Sequence, residues 1–214
     1  MPAPTISEPV LESGDRLTRD EFHLRYCERA DLKKAELVEG VVYVASPVRA
    51  TVHGQQHGLV MTWLGLYQAR HPDLILLDNS TVLLDAQNEV QPDGCLFRVE
   101  AGGPRITEDD YVEGAPQLVV EIAASSASYD LHDKMRAYQR NGVREYIVWR
   151  VLEGKIDWYR LRDGGYVLVE PDEAGVIESE VFSGLALDIP RMLAGDLAGV
   201  LAQLERRSQP RPGS

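Results

Sequence analysis

A single carboxylate, Glu121, interrupts the apolar run Leu118-Val119-Val120-Glu121-Ile122-Ala123. A run this short and apolar reads as a buried strand, of the kind covered on both faces of a sheet. A lone carboxylate there is costly unless a cation or hydrogen-bond donors satisfy it. The fold must therefore bring a partner to Glu121. Two further polar residues stand out: Asp93 in Val90-Gln91-Pro92-Asp93-Gly94, and Lys134 in Asp130-Leu131-His132-Asp133-Lys134. Two carboxylates and an ammonium can hold a hard divalent cation and activate a water.

The spacing suits that use. Asp93 and Glu121 lie 28 residues apart (121 − 93), room for a loop and the return of a second strand. Lys134 follows Glu121 by 13 positions (134 − 121), where Leu131, Met135 and Tyr138 form an apolar stripe at helical spacing. At about 100° per residue, Lys134 falls on the flank of that stripe and Asp133 on the opposite side. Lys134 is expected to reach inward beside the core and Asp133 to face water. Tyr138 extends the stripe as a core residue. Asp130, one turn before Lys134, is placed to pair with it.

Further segments in the same order are Glu36-Leu37-Val38-Glu39-Gly40, Ser46-Pro47, Pro92-Asp93, Gly114-Ala115-Pro116-Gln117-Leu118 running on to Ile122, Asp130, Lys134, Tyr138 and Gly142-Val143-Arg144-Glu145-Tyr146. This series resembles the Uma-type restriction-endonuclease-like family of bacteria, long described as a domain of unknown function within the PD-(D/E)XK nuclease superfamily. It covers roughly residues 16 to 192, nearly all of the foldable chain. The resemblance implies a restriction-endonuclease-like α/β fold: a central mixed β-sheet flanked by α-helices, with added β-hairpins. It implies a DNA endonuclease dependent on Mg²⁺ or Mn²⁺, with Asp93, Glu121, Lys134 and Glu36 as catalytic residues. The metal ligands would be Asp93, Glu121 and the backbone carbonyl of Ile122. His57 would contact substrate or Glu36. One departure is clear: the superfamily's usual lysine stands two residues after the glutamate, where this chain has Ala123. Positions 121 and 123 share a strand face, so alanine leaves space there for Lys134.

Charge pulls the other way. The net charge is −12 and the pI near 4.9, whereas nucleic-acid binders usually carry a basic face. Screening confines fields to about 10 Å at ordinary salt, so a local basic stripe is still compatible with an acidic whole. Its candidates are Arg49, Arg98, Arg105, Arg136, Arg140 and Arg144. The rival reading is a nuclease-fold protein that binds or regulates without cutting. His53 and His57 have the i, i+4 spacing of a metal-binding pair, with no usual third ligand nearby. Cys27 and Cys95 give neither a disulfide framework nor a zinc spacing, which suggests a reduced cytoplasm. No apolar run approaches the ~18 residues that span a bilayer.

At 214 residues and 44% hydrophobic content the chain can bury one full core. A single domain is expected over residues 15–205, after a disordered lead at 1–14 and before a flexible tail at 206–214. Thr18 and Glu21 form a capping box that opens a helix, and Glu39-Gly40 marks a hairpin. A helix is expected over 51–70, then two strands in 74–84, one over 90–99, and a loop over 100–115. After the Glu121 strand and the Lys134 helix come a strand over 145–151 and a hairpin turning at Asp163-Gly164-Gly165. An edge strand at 181–187 and a helix from Pro190 to about Glu205 close the domain. Trp63, Trp149 and Trp158 read as packing residues, and Ser125-Ser126 as a helix-entry cap. The apolar content of the late hairpin and last helix suggests a homodimer.

Overall fold

The computed structural model describes residues 11–29, 31–44, 53–124 and 130–208. Helix α1 (Arg19–Cys27) starts where the sequence marks it, with the Thr18 side chain accepting from the Glu21 N–H at 3.3 Å. Glu21 turns to Arg25 instead of completing the reciprocal half of the box. Strands β1 (Ala35–Val38) and β2 (Val41–Val44) join through Glu39 and Gly40, both at positive φ (53° and 73°), the two-residue turn that matches strand twist.

Helix α2 (Gln55–Gln68) leads to β3 (Leu74–Leu77), β4 (Val82–Asp85), β5 (Asn88–Val90) and β6 (Gly94–Arg98). The stretch expected as loop holds two short strands, β7 (Arg105–Ile106) and β8 (Val112–Glu113). They form because β8 pairs in parallel with β4, a contact distant in sequence. Strand β9 (Leu118–Ala123) carries Glu121. A π-helical turn (Asp130–Lys134) runs into α3 (Met135–Asn141). Then come β10 (Glu145–Arg150), β11 (Lys155–Arg162), β12 (Gly165–Leu168), β13 (Val176–Glu178) and β14 (Ala186–Asp188). The last helix is two: α4 (Ile189–Leu193) and α5 (Leu197–Ser208), broken at Gly195, whose φ is +73°.

The mixed α/β class holds, with the described strands divided between two six-stranded sheets and one two-stranded sheet. The first has the order β2-β1-β5-β4-β8-β7, the second β12-β11-β10-β9-β6-β3. Strands β9 and β10 run parallel, joined through α3, while β6 and β9 are antiparallel. The expected edge strand is β14, paired with β13 away from both large sheets.

Alternation along β9 explains how the layers stack. Leu118, Val120 and Ile122 enter a core with Trp63 and Leu64 of α2 and Leu204 of α5. Val119 and Ala123 enter a second core with Val38 and Val90 of the first sheet and Tyr138 of α3. The second core thus lies between the two large sheets. No described helix is long and apolar enough to cross a membrane.

The two central tryptophans differ in one respect that can be tested. The Trp63 indole N–H donates to the Ala186 carbonyl at 2.9 Å, whereas the buried Trp158 indole N–H meets no acceptor. Trp63→Phe is expected to lower unfolding free energy by about 1–3 kcal/mol more than the matching lost ring volume alone, because a buried carbonyl loses its donor. Trp158→Phe lacks that added cost, so urea midpoints should fall further for the first variant than the second.

Candidate active site

Glu121 is 2% exposed and shares its strand face with Val119 and Ala123, so it points into the core between the sheets. Strand β6 pairs with β9 as Gly94↔Val120 and Cys95↔Val119. Continued by one residue, that register sets Asp93 opposite Glu121 on the same face. Asp93 Oδ2 accepts the Ile122 N–H at 2.7 Å, which ties the two strands together at this point. In the other sheet, Glu36 shares a face of β1 with Val38 and enters the same interior. Three buried carboxylates therefore converge from three strands.

Lys134 connects the sheets. Its Nζ stands 2.8 Å from Glu36 Oε1 and 2.8 Å from Glu121 Oε1, and the residue is 2% exposed. The side chain comes from the last residue of the π-helical turn, a wider turn than α-helix and one often found at functional sites. The Tyr138 hydroxyl donates to Glu121 Oε1 at 2.8 Å, and the Gln91 N–H to Glu36 Oε1 at 2.6 Å. Burial first, then the charges of Glu121 and Glu36, push the Tyr138 pKa well up, so it remains a donor. Tyr138 is a core residue, as its place in the stripe indicates, with the added task of orienting Glu121.

Two partners of Asp93 are not anticipated in that role by the sequence, which marks His53 only as half of a histidine pair. Lys34 Nζ lies 3.4 Å from Asp93 Oδ1 and 3.2 Å from the Asn79 side-chain oxygen. His53 Nε2 lies 3.2 Å from Asp93 Oδ2. Strand alternation carries a signal for the first, since Lys34 precedes Glu36 by two positions on the same side. Nothing local marks His53 as a partner of Asp93. Burial would raise the Asp93 pKa, but the His53 hydrogen bond, the Lys34 charge and the Ile122 N–H outweigh it and hold the group below the usual carboxylate range. Burial would lower the Lys34 pKa, and the nearby Glu36, Asp93 and Glu121 carboxylates reverse that and raise it.

A depressed native pKa stabilises the fold above the ordinary value of 3.8, and the gain is lost as pH falls towards the native value. Asp93→Asn should therefore flatten the fall in unfolding free energy between about pH 4 and about pH 2. An unchanged slope on acid titration would show that Asp93 is not the coupled group.

The remaining candidates are placed as follows. His57 Nε2 stands 3.0 Å from the Asp93 backbone carbonyl and 3.0 Å from Asp78 Oδ1, beside Asp93. The His53 and His57 rings stack at 5.9 Å. Among the described residues no group of three or more His, Cys, Asp or Glu is placed to hold a metal ion, which applies to the histidine pair and, as its side chains stand, to the Glu36–Asp93–Glu121 cluster. Asp133 accepts from the Tyr43 hydroxyl at 3.2 Å and pairs with Arg136, so it is engaged rather than simply solvated. Arg98, Arg105, Arg136, Arg140 and Arg144 each pair with a carboxylate, and so form no free basic stripe. Ser46-Pro47, Arg49, Ser125-Ser126 and the Asp130 side chain lie outside the described residues, as do the first ten residues and the last six.

The donor type of this set is that of a hard-cation site, but as placed the carboxylates are held by Lys34, His53 and Lys134. Glu36, Asp93 and Glu121 bring three negative charges, against two positive charges from Lys34 and Lys134. Asp93 and Glu121 stand across the strand pair from each other, and carboxylate oxygen is the ligand type that Mg²⁺ and Mn²⁺ prefer.

Comparisons with known proteins agree with this architecture. A structural search matches a crystal structure described as a putative nuclease belonging to DUF820 from Anabaena variabilis, with a TM-score of 0.59 at 14% identity. The match covers 75% of this chain and 90% of that one, and it shows a shared fold. Among curated proteins nothing matches. The Uma2 family model, described as "Putative restriction endonuclease", matches residues 19–190, a span that contains Glu36, Asp93, Glu121 and Lys134. The chain therefore belongs to the Uma2 family.

Proposed function

We propose that this protein is a divalent-metal-dependent endonuclease that hydrolyses phosphodiester bonds in DNA. The observation that carries the reading is the buried cluster in which Lys134 bridges Glu36 of one sheet and Glu121 of the other, with Asp93 across the strand from Glu121. Membership of a nuclease family gives the reaction class. Asp93, Glu121 and the Ile122 carbonyl would hold Mg²⁺ or Mn²⁺. The bound cation supplies Lewis acidity towards the scissile phosphate. Lys134 orients the attacking water and stabilises negative charge as it builds on the phosphate. Glu36 and Tyr138 act through others: Glu36 fixes the ammonium, and Tyr138 fixes the Glu121 carboxylate. His57, bonded to the Asp93 backbone, holds that turn and faces the substrate side.

The test is cleavage of supercoiled plasmid and of single-stranded DNA with Mg²⁺, with Mn²⁺ and with chelator. Nicking or linearisation that needs the cation is the expected result. A second reading, a nuclease-fold protein that binds or regulates without cutting, is favoured by the net charge of −12 and the ion-paired arginines. Retained DNA binding with no product under either cation would select it. A homodimer suits either reading, since paired clefts match the two strands of a duplex. Val167 and Leu168, exposed on the outermost strand of the second sheet, would contribute to its surface together with the last helix. Light scattering that gives only the 23.8 kDa monomer would reject that assembly. Two free cysteines fit a reducing, cytoplasmic setting.

A further inference from the structure

A second group of reactive side chains stands apart from the carboxylate cluster, where α1 packs on the first sheet. His23 and Cys27 are one helical turn apart on α1 and face the same way. His23 Nε2 lies 3.6 Å from Cys27 Sγ, and His23 Nδ1 lies 3.0 Å from both oxygens of Glu89 in β5. Tyr111, just before β8, brings its hydroxyl to 3.5 Å from the same sulfur and sets its ring edge-on to His23 at 4.9 Å. The series runs from a buried acid to an exposed thiol: Glu89 is 2% exposed, and Cys27 faces solvent.

Each neighbour has a defined task. Burial raises the Glu89 pKa, an effect that the His23 hydrogen bond and charge, and more weakly the Arg19 charge, oppose. The Glu89 carboxylate receives the Nδ1–H, which leaves the Nε2 lone pair facing the thiol. A nucleophile, a base and a group that orients the base form the arrangement that activates side-chain nucleophiles on unrelated folds. The Tyr111 pKa is pushed up to about 12 by its hydrogen bond with Cys27 and by burial, so it stays protonated and can donate to sulfur. A thiolate receives that donor better than a thiol does.

We propose that Cys27 is a nucleophilic thiol activated by His23 and Glu89, and that it is modified by small soluble disulfides. The thiol proton passes to His23 Nε2, and the Cys27 sulfur attacks one sulfur of the disulfide. A new S–S bond forms as the old one breaks, and the leaving thiolate takes the proton from Nε2. Cys27 is oxidised to a mixed disulfide, and half of the small disulfide is reduced to a thiol. The other cysteine, Cys95, is buried, and burial pushes its thiol up to about 12. It cannot attack the adduct from its place in the core, so the adduct is not resolved within the chain and is reversed only by another thiol.

The full chain incubated with glutathione disulfide near pH 7 should gain one adduct, mapped by mass spectrometry to Cys27, while Cys95 stays unmodified. His23→Gln should slow adduct formation by about tenfold or more, and Glu89→Gln should slow it similarly. His23 is 31% exposed, so its replacement tests the idea even where the Glu89 variant does not fold. The Cys27 rate in the folded chain should also exceed its rate in the urea-unfolded chain. A His23→Gln rate within about twofold of the parent, or a folded rate no higher than the unfolded one, would overturn the proposal.

Discussion

Lys134→Met is expected to lower the free energy of unfolding by about 3–5 kcal/mol, the usual cost of removing one partner of a buried ion pair. Methionine fills much of the volume, so packing is only a small part of the loss. The larger part is electrostatic: Glu36 and Glu121 would remain buried, facing each other without the ammonium that stands 2.8 Å from each. Adding Glu121→Gln to Lys134→Met should restore part of the loss, because it removes one of the two buried charges that have lost the ammonium. Urea unfolding of the single and double variants gives the coupling directly, and about 0.5–3 kcal/mol is expected. A loss below about 1 kcal/mol for Lys134→Met would mean that the three groups are not coupled as the distances indicate.

Asp93→Ala is expected to reduce cation-dependent DNA cleavage by more than about a hundredfold, since even outer-shell partners of a bound metal are worth about 10- to 100-fold. The effect should fall on the chemical step and on Mn²⁺ binding measured by calorimetry. DNA affinity should be unchanged or higher, because the change removes a negative charge. The substitution also deprives Lys34 and His53 of their partner, so thermal unfolding must be followed alongside. Full cleavage by Asp93→Ala would remove Asp93 from the metal site and shift that role to Glu121 and Glu36.

Much of the cluster was legible before any tertiary structure. A carboxylate inside the Leu118–Ala123 run demanded a cation or hydrogen-bond donors, and the Lys134 ammonium and the Tyr138 hydroxyl supply them. Period-two alternation predicted that Glu121 and Ala123 share a face, and they do. The helical wheel put Lys134 on the inward flank, although the turn that carries it is π-helical rather than α-helical. Lys34 was not singled out, although strand alternation puts it on the same side as Glu36. The Tyr138 hydroxyl was hidden, because periodicity reports which way a ring points and says nothing of where its oxygen ends.

The sequence by itself determined most of the longer elements and the directions of their side chains, because periods of two and of 3.6 residues are local consequences of backbone geometry. It showed neither the short strands β7 and β8 nor the break at Gly195. It also determined that the buried acid needed a partner, since desolvation depends on the apolar neighbours along the strand. Only the tertiary structure decided that the strands divide between two large sheets, and that Glu36, 98 positions before Lys134 (134 − 36), meets the same ammonium as Glu121. The same holds for His53 at Asp93, and for Glu89 and Tyr111 beside the Cys27 helix. These contacts are set by how separate sheets and helices stack. That stacking minimises exposed apolar area over the whole chain, so no short window of sequence carries it.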